Sequence, residues 1–425
     1  MEVKNYRPRI ADELLKERLE YRGAVLIEGP KWCGKTSTAL MQAESVLNLA
    51  ESGRLNQARE LIDIAPQALL DGAVPRLIDE WQTLSRLWDC IRHEVDHRQE
   101  PGQFILTGSA LPANREEIIH SGTGRFSRLT MRTMSLLESG DSNGAISLRK
   151  LFEGDTRMTG QATAKLDDIA TLICRGGWPL STMLNGKAAL RQAIDYFDGV
   201  VNFDISRVDD VKRSPQLTRS LMKAYARHTG LQSTLTTIAD DVANYGEGAS
   251  IDTVRAYLSS LRSIFVIEEM EAWNPNLRSR TAIRTTPTRY FTDPSIGCAA
   301  LGAGPTDLVN DLKAMGMMFE NLGVRDLRVY AEALDGEVYH YRDANGLECD
   351  SVVHLRNGQY GLVEMKLGGE KQISDATTSL TTLASKLDTT RMLAPAFLMV
   401  LTAVGEFAYR RQDGIWIVPV TTLGV

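Results

Sequence analysis

The residues with the most legible chemistry are Gly29-Pro30-Lys31-Trp32-Cys33-Gly34-Lys35-Thr36, a complete GxxxxGK[ST] spacing. Glycines in such a loop let successive backbone N–H groups turn toward one anion, and the start of the following helix adds its partial positive charge. The chemistry expected is the cradling of a phosphate chain. The loop from Gly29 through Thr36, with Ser37 beside it, would hold ATP; Lys35 would reach the β- and γ-phosphates, and Thr36 would ligate Mg2+. A second run serves the same chemistry. Pro75-Arg76-Leu77-Ile78 ends in Asp79-Glu80, where Asp79 would hold the metal shell and Glu80 would polarise the attacking water. Phe104-Ile105-Leu106 ends in Thr107-Gly108-Ser109, placing a hydroxyl on Thr107 or Ser109 where a γ-phosphate can be sensed. Arg125, in Gly124-Arg125-Phe126 after a flexible segment, is the candidate arginine finger, acting within the chain or on a neighbour in an oligomer; Arg128 is its reserve.

A second set of carboxylates lies near the other end. Asp350 precedes Glu364-Met365-Lys366 on consecutive strand-like runs, and this spacing resembles the D…(D/E)xK arrangement of restriction-type nucleases. Glu364 and Lys366 are two apart on a strand and so share a face. Asp350 and Glu364 would bind Mg2+, and Lys366 would position or help deprotonate a water. Glu320 on the preceding helix could supply a further acid, and Gln372 could support the site. His93-Glu94-Val95-Asp96-His97 matches HExxH literally. It is set aside as a zinc site: the helix should flank the sheet, its surroundings are polar, and no third ligand follows at a recognisable spacing.

These residues need elements to position them. Strand-like runs at Ala24–Glu28, Val46–Leu49, Pro75–Asp79 and Gln103–Thr107 alternate with helical patterns, with a fifth strand around Arg128–Met134. That alternation implies a parallel sheet covered on both faces. Polar, small-residue stretches at Ser139–Gly144 and Gly154–Lys165 mark a boundary or a surface excursion. Helical patterning runs from Leu166 to Thr229, broken at Gly176-Gly177-Trp178-Pro179. Helices at Leu235–Ala243 and Ile251–Ile264, then strands at Val266–Trp273 and Arg289–Thr292, read as a winged helix. Beyond Pro305, a helix at Asp311–Leu322, strands at Val338–Arg342, Cys349–Leu355 and Gly361–Leu367, a helix near Ile373–Leu387, and strands at Phe397–Ala403 and Ile415–Pro419 make a second α/β domain.

The motif order Tyr6-Arg7-Pro8-Arg9, Val25–Thr36, Leu77–Glu80, Ile105–Ser109 and Gly124-Arg125 resembles a large bacterial and archaeal family of AAA-type ATPases with a C-terminal domain of unknown function. Gly176-Gly177-Trp178-Pro179 and Tyr290-Phe291-Thr292-Asp293 extend the resemblance along most of the chain. It implies an α/β, AAA-type P-loop NTPase core with a parallel sheet (1–150), a helical lid (151–230), a winged helix (231–300), and a PD-(D/E)xK nuclease-like α/β domain (301–425). It also implies ATP and Mg2+ as cofactors. The alternative function is a regulatory or binding switch whose nuclease-like domain is a silent docking module.

Composition bounds the rest. Of 425 residues, 43% are hydrophobic and 24% charged, which excludes collagen-like, disordered and coiled-coil classes. Five widely spaced cysteines form no CxxC pair, so neither a disulfide framework nor a cysteine metal site is expected. No apolar run is long enough for a membrane span and the start carries no signal-peptide core, so a cytosolic protein without a membrane partner is expected. The net charge of −6 is concentrated in residues 301–425, with 11 Lys and Arg against 16 Asp and Glu. The nuclease-like domain therefore lacks the basic footprint of a tight backbone binder. Arg255, Arg262, Arg278, Arg280, Arg284 and Arg289 make the winged helix the better candidate for gripping nucleic acid, and the same arginines would suit a partner subunit.

Overall fold

Short apolar runs separated by helix-length stretches dictate parallel pairing, because each strand end must be carried back by a crossover before the next strand can lie alongside. The computed structural model describes residues 5–109, 121–208, 211–244, 248–275, 286–344 and 346–425. The chain forms two compact units. The first comprises Met1–Thr133, Asn202–Arg213 and Ser259–Phe265; the second comprises Met134–Val201, Ser214–Leu258 and Val266–Val425.

In the first unit, strands β1 (Ala24–Glu28), β2 (Ser45–Asn48), β3 (Arg76–Asp79), β4 (Phe104–Gly108) and β5 (Phe126–Thr130) form one sheet in the order β2-β3-β4-β1-β5. Every pair is parallel. Alternation along the strands splits the apolar residues between two cores. Ala24, Leu26, Ile78, Phe104 and Leu106 pack with Trp81, Trp88 and Ile91 on one side. Val25, Ile27, Leu77, Ile105 and Leu129 pack with Leu15, Leu19 and Ala39 on the other. Ala11, Leu15 and Leu19, four apart, are the buried stripe of helix Ile10–Tyr21. The register brings three strand ends together at one edge: Thr107 lies opposite both Ile27 and Asp79.

The second unit holds strands β6 (Ile146–Ser147), β7 (Gly160–Gln161), β8 (Gly336–Arg342), β9 (Glu348–Leu355), β10 (Tyr360–Lys366), β11 (Phe397–Thr402), β12 (Phe407–Arg410), β13 (Trp416–Pro419) and β14 (Leu423–Gly424). Seven of them form a mixed sheet, β7-β12-β13-β11-β10-β9-β8, and β14 pairs with β6. β8, β9 and β10 are an antiparallel meander, and helix Glu370–Lys386 carries the chain over to β11, parallel to β10. Helix Leu312–Glu332 precedes the meander and runs well past the expected end at Leu322.

Three differences from the sequence-based expectation have physical causes. The compact unit around the parallel sheet ends at Thr133 rather than near 150. Residues 134–150 instead build onto the second unit: Ile146 and Ser147 pair with Leu423 and Gly424, and Ser142 Oγ donates to Leu423 O at 2.6 Å. The two wing strands are replaced by isolated bridges, Ile267 with Phe291 and Met270 with Thr288. Backbone bonds still join the segments, from Glu268 N to Tyr290 O at 3.0 Å, from Thr292 N to Val266 O at 3.1 Å and reciprocally between Met270 and Thr288 at 2.9 Å. Arg328 donates at 3.0 Å to Glu268 O, the carbonyl that a continuous ladder would pair with Tyr290 N, and Asn321 satisfies the outward-facing N and O of Phe291 at 3.2 and 2.8 Å. Finally, Arg289 is not a surface cation. It is 5% exposed, paired with Glu269, and donates through Nη2 to Ser233 O at 3.0 Å.

Candidate nucleotide site and a second carboxylate cluster

The phosphate loop leaves β1 through conformations that its residue types permit. Gly29 has φ +153°, and a Cβ there would sit 2.0 Å from Met131 O. Gly34 has φ +105°, a region L side chains rarely adopt, just before helix Lys35–Leu40. Trp32 is left-handed at φ 65° and exposed, and Pro30 and Cys33 are buried. Lys35 is 6% exposed, with its ammonium turned under the arch, donating to Gly29 O at 2.9 Å and Pro30 O at 2.7 Å. Ser37 lies half-buried in the first turn of the helix.

Hydroxyl and carboxylate groups converge beside it. Thr36 Oγ1 donates to Asp79 Oδ1 at 2.8 Å, and Thr107 Oγ1 donates to the same oxygen at 2.5 Å. Asp79 is 7% exposed, and Ser109 is buried just past β4. The loop, the end of β3 and the end of β4 are thus locked on one carboxylate. Glu80 follows in a left-handed conformation, φ 58° and ψ 41°, which turns it away from the strand; its carboxylate accepts from Gln82 Nε2. Loop geometry, a buried ammonium, a hydroxyl and an acid are the donor set a Mg2+-triphosphate requires, so these residues fit that group.

Arg9 carries a role that sequence reasoning left unassigned. It is buried, and donates to Cys33 O at 2.7 Å and Arg132 O at 2.9 Å, tying the loop to the segment after β5. Its only signal in the sequence is its place in the Tyr6–Arg9 run.

Arg125 stands elsewhere. Its carbonyl accepts from Ala24 N at 3.2 Å, so it flanks the start of β1, whereas the loop follows the end of that strand. Five residues of strand separate the two by about 16 Å. Its side chain pairs with Asp96 at 2.7 Å on helix Leu87–Arg98. Arg125 thus stands at the opposite end of β1 from the loop. Arg128 is closer, and pairs with Glu28 at 2.9 Å; burial pushes the Glu28 carboxyl up and Arg128 opposes that rise. His93 and His97 are exposed on the same helix as Asp96, and Glu94 is paired with Arg98 at 2.7 Å.

In the second unit, β9 and β10 bring Asp350 beside Glu364. Lys366 Nζ lies 2.7 Å from Glu364 Oε2 and 3.2 Å from Asp350 Oδ2, and Asp350 Oδ2 also accepts from Met365 N at 2.7 Å. Glu320 joins them from helix Leu312–Glu332, accepting from Tyr290 OH at 2.5 Å. Burial first, then the charge of Asp350, pushes the carboxyls of Glu320 and Glu364 up to about 8. Among the described residues, no group of three or more His, Cys, Asp or Glu side chains is placed to hold a metal. The Lys366 ammonium lies between Asp350 and Glu364, and Glu320 feels the charge of both carboxylates. Gln372 is exposed in the first turn of its helix.

Of the expected cationic face, Arg278, Arg280 and Arg284 lie outside the described residues. Arg255 and Arg262 are exposed on helix Ile251–Ser263, with Arg255 paired to Asp252. All five cysteines are free thiols. Among the described residues, no helix is long and apolar enough to cross a membrane.

The fold unites two motifs that lie far apart in sequence. Gly177 N donates to Asp293 Oδ2 at 2.9 Å, and Trp178 Nε1 donates to Ser295 Oγ at 3.0 Å. Arg325 completes this buried network: Nη1 donates to Asp293 Oδ2 at 3.1 Å and Nη2 to Asp326 Oδ1 at 2.7 Å.

Residues 21–139 match a family described as an AAA domain, and residues 166–307 and 315–423 match two families described as domains of unknown function, DUF8612 and DUF4143. The AAA match supports ATP binding and hydrolysis by the first unit. An uncharacterized protein of Mycobacterium tuberculosis, Rv2008c, is 24% identical over 371 residues, covering 86% of this chain and 75% of its own. Mb2031c of Mycobacterium bovis matches to the same extent. Among solved structures, the Walker-type ATPase PABY2304 of Pyrococcus abyssi is similar at TM-score 0.44 and 15% identity, over 68% of this chain and 94% of that one.

Proposed function

We propose that the chain binds ATP with Mg2+ on the Gly29–Ser37 loop, hydrolyses it, and uses the nucleotide state to control its second unit. The observation that carries this reading is the convergence of Thr36 and Thr107 on Asp79 beside the buried Lys35 ammonium. Mg2+, when bound, neutralises charge on the phosphate oxygens. The chain's own residues do the rest. Backbone N–H groups of the loop and Lys35 hold phosphate oxygens. Thr36 would ligate the metal, and Asp79, which holds the Thr36 hydroxyl, would complete the metal's shell. Ser109, or Thr107 once its hydroxyl turns from Asp79 to the phosphate, senses the γ-phosphate, and Glu80 orients the attacking water once Gln82 releases it. Arg125, at the far end of β1 from the loop, serves as an arginine finger on a second copy of the chain. Steady-state hydrolysis of ATP by the wild type and by Glu80→Gln tests this: the variant should retain ATP binding and lose turnover.

For the second unit we propose action on nucleic acid. The order helix, antiparallel β8-β9-β10, crossover helix and parallel β11, with Asp350, Glu364 and Lys366 on adjacent strands, supports a PD-(D/E)xK reading. In this unit the exposed Arg255 supplies positive charge that phosphates would seek. Plasmid, single-stranded DNA and RNA offered with Mg2+ or Mn2+ should be cut by the wild type and spared by Lys366→Ala. A second reading, a switch with a catalytically silent docking module, is favoured by the Lys366 ammonium bound to both carboxylates and by the burial of Arg289. Under it no substrate is cut, and Lys35→Ala alters partner affinity while Glu364→Ala does not.

A further inference from the structure

Residues Asn202–Arg213 belong to the same compact unit as the phosphate loop, although the chain on either side of them belongs to the other unit. A single turn of 3-10 helix, Asp204–Arg207, opens this segment directly after the long helix Gly186–Asn202. Internal bonds tie together the described residues of this segment on either side of 209–210. Arg213, 8% exposed, donates to Ile205 O at 3.1 Å and Val211 O at 3.4 Å, and Arg213 N donates to Ser206 Oγ at 3.2 Å. Its tie to the loop is an ion pair: Lys31 Nζ donates to Asp204 Oδ1 at 2.6 Å. The Asp204 side chain is 16% exposed and that of Lys31 41%.

Lys31 stands two residues after the first glycine of the loop and three before the second. A phosphate chain held there attracts its ammonium and repels any carboxylate within hydrogen-bond reach of it, both at close range and with one face shielded from water. We propose that Asp204 is a positioning residue for nucleotide: its carboxylate competes with phosphate for the Lys31 ammonium, lowering affinity and releasing the Asp204–Arg207 turn when nucleotide binds. This rests on the nucleotide-binding reading given above. It goes beyond that reading by giving the loop a named readout on a segment whose flanking helices lead into the second unit. Nothing in the GxxxxGK[ST] spacing points to residue 204; the link appears only in the fold.

The test is titration calorimetry of the full chain with ATP and Mg2+, on the wild type, D204N, K31M and the double variant. D204N should bind ATP about two- to fivefold more tightly than wild type, the range expected when a close carboxylate no longer holds a partly exposed ammonium. The double variant should bind as K31M does, because without the ammonium there is nothing to compete for. Limited trypsin digestion gives a second readout: cleavage after Arg207 and Lys212 should quicken when ATP is added to wild type, and should already be fast in D204N. If D204N binds ATP no more tightly while K35A abolishes binding, the phosphate loop stands and the competition is overturned. If the tightening persists in K31M, removal of a charge explains it and the proposal again fails. If wild type binds no ATP, the nucleotide reading fails first and this one with it.

Discussion

Replacing Arg325 with Met should be among the most destabilising single changes in the second unit. Arg325 is 2% exposed, Asp293 is 0% and Asp326 is 1%. Its guanidinium bonds Asp326 Oδ1 through Nε at 2.9 Å and Nη2 at 2.7 Å, and Asp293 Oδ2 through Nη1 at 3.1 Å. Met fills most of the volume but leaves two buried carboxylates without a cation. Removing one partner of a buried pair costs about 3–5 kcal/mol. The remaining donors limit the loss, since Asp293 keeps Gly177 N, Ser295 N and Ser295 Oγ, and Asp326 keeps Leu136 N. Asp293→Asn should therefore cost less, about 1–3 kcal/mol, because an amide oxygen can still accept and Arg325 keeps Asp326. Urea unfolding followed by tryptophan fluorescence, at constant m-value, reads both variants. A loss below about 1 kcal/mol for Arg325→Met would refute the assignment of this network as the unit's structural centre. So would Asn at 293 proving the worse of the two.

Stability of the second unit should also depend on pH. The Glu364 carboxyl is raised from 4.5 to about 8, so the folded chain holds a proton that the unfolded chain releases above 4.5. Its contribution is full below pH 4.5 and declines as pH rises through about 8, and Glu364→Gln should flatten that decline; stability rising across the window would contradict it. Gly29→Ala should lower ATP affinity at least about tenfold, since its Cβ would meet the Met131 carbonyl at 2.0 Å and neither backbone can yield. Wild-type affinity in that variant, measured by calorimetry, would show that the loop has room. Thr107→Val should slow hydrolysis more than it weakens binding of ADP, because the hydroxyl at the end of β4, given to Asp79 in the free chain, turns to the γ-phosphate that only ATP carries; equal losses for ATP and ADP would remove the sensor role.

The parallel sheet was legible because its strands are buried on both faces and read as continuous apolar runs, as at Val25–Ile27 and Ile105–Leu106. The loop and Asp79 were legible because their chemistry is local in sequence. What periodicity missed was polar and buried. Helix Leu312–Glu332 reads as ending near Leu322 because Arg325, Asp326 and Arg328 interrupt the apolar pattern, yet all three are buried in ion pairs. Arg289 read as a surface cation for the same reason: residue type gives charge, and only the fold gives the partner. The short strands β6, β7 and β14, two residues each, lie below the length at which alternation can be recognised, so the membership of residues 134–161 in the second unit was invisible.

The central claim, that the first unit is an ATP-hydrolysing phosphate-loop machine, meets its most direct test in Mg2+-dependent ATP turnover by purified wild type and Lys35→Ala. Lys35 is the buried ammonium beneath the loop, so its loss should abolish both ATP binding and turnover, and chelation of Mg2+ should stop the wild type. Turnover that survives in Lys35→Ala, or a wild type that neither binds nor hydrolyses ATP, would contradict the claim.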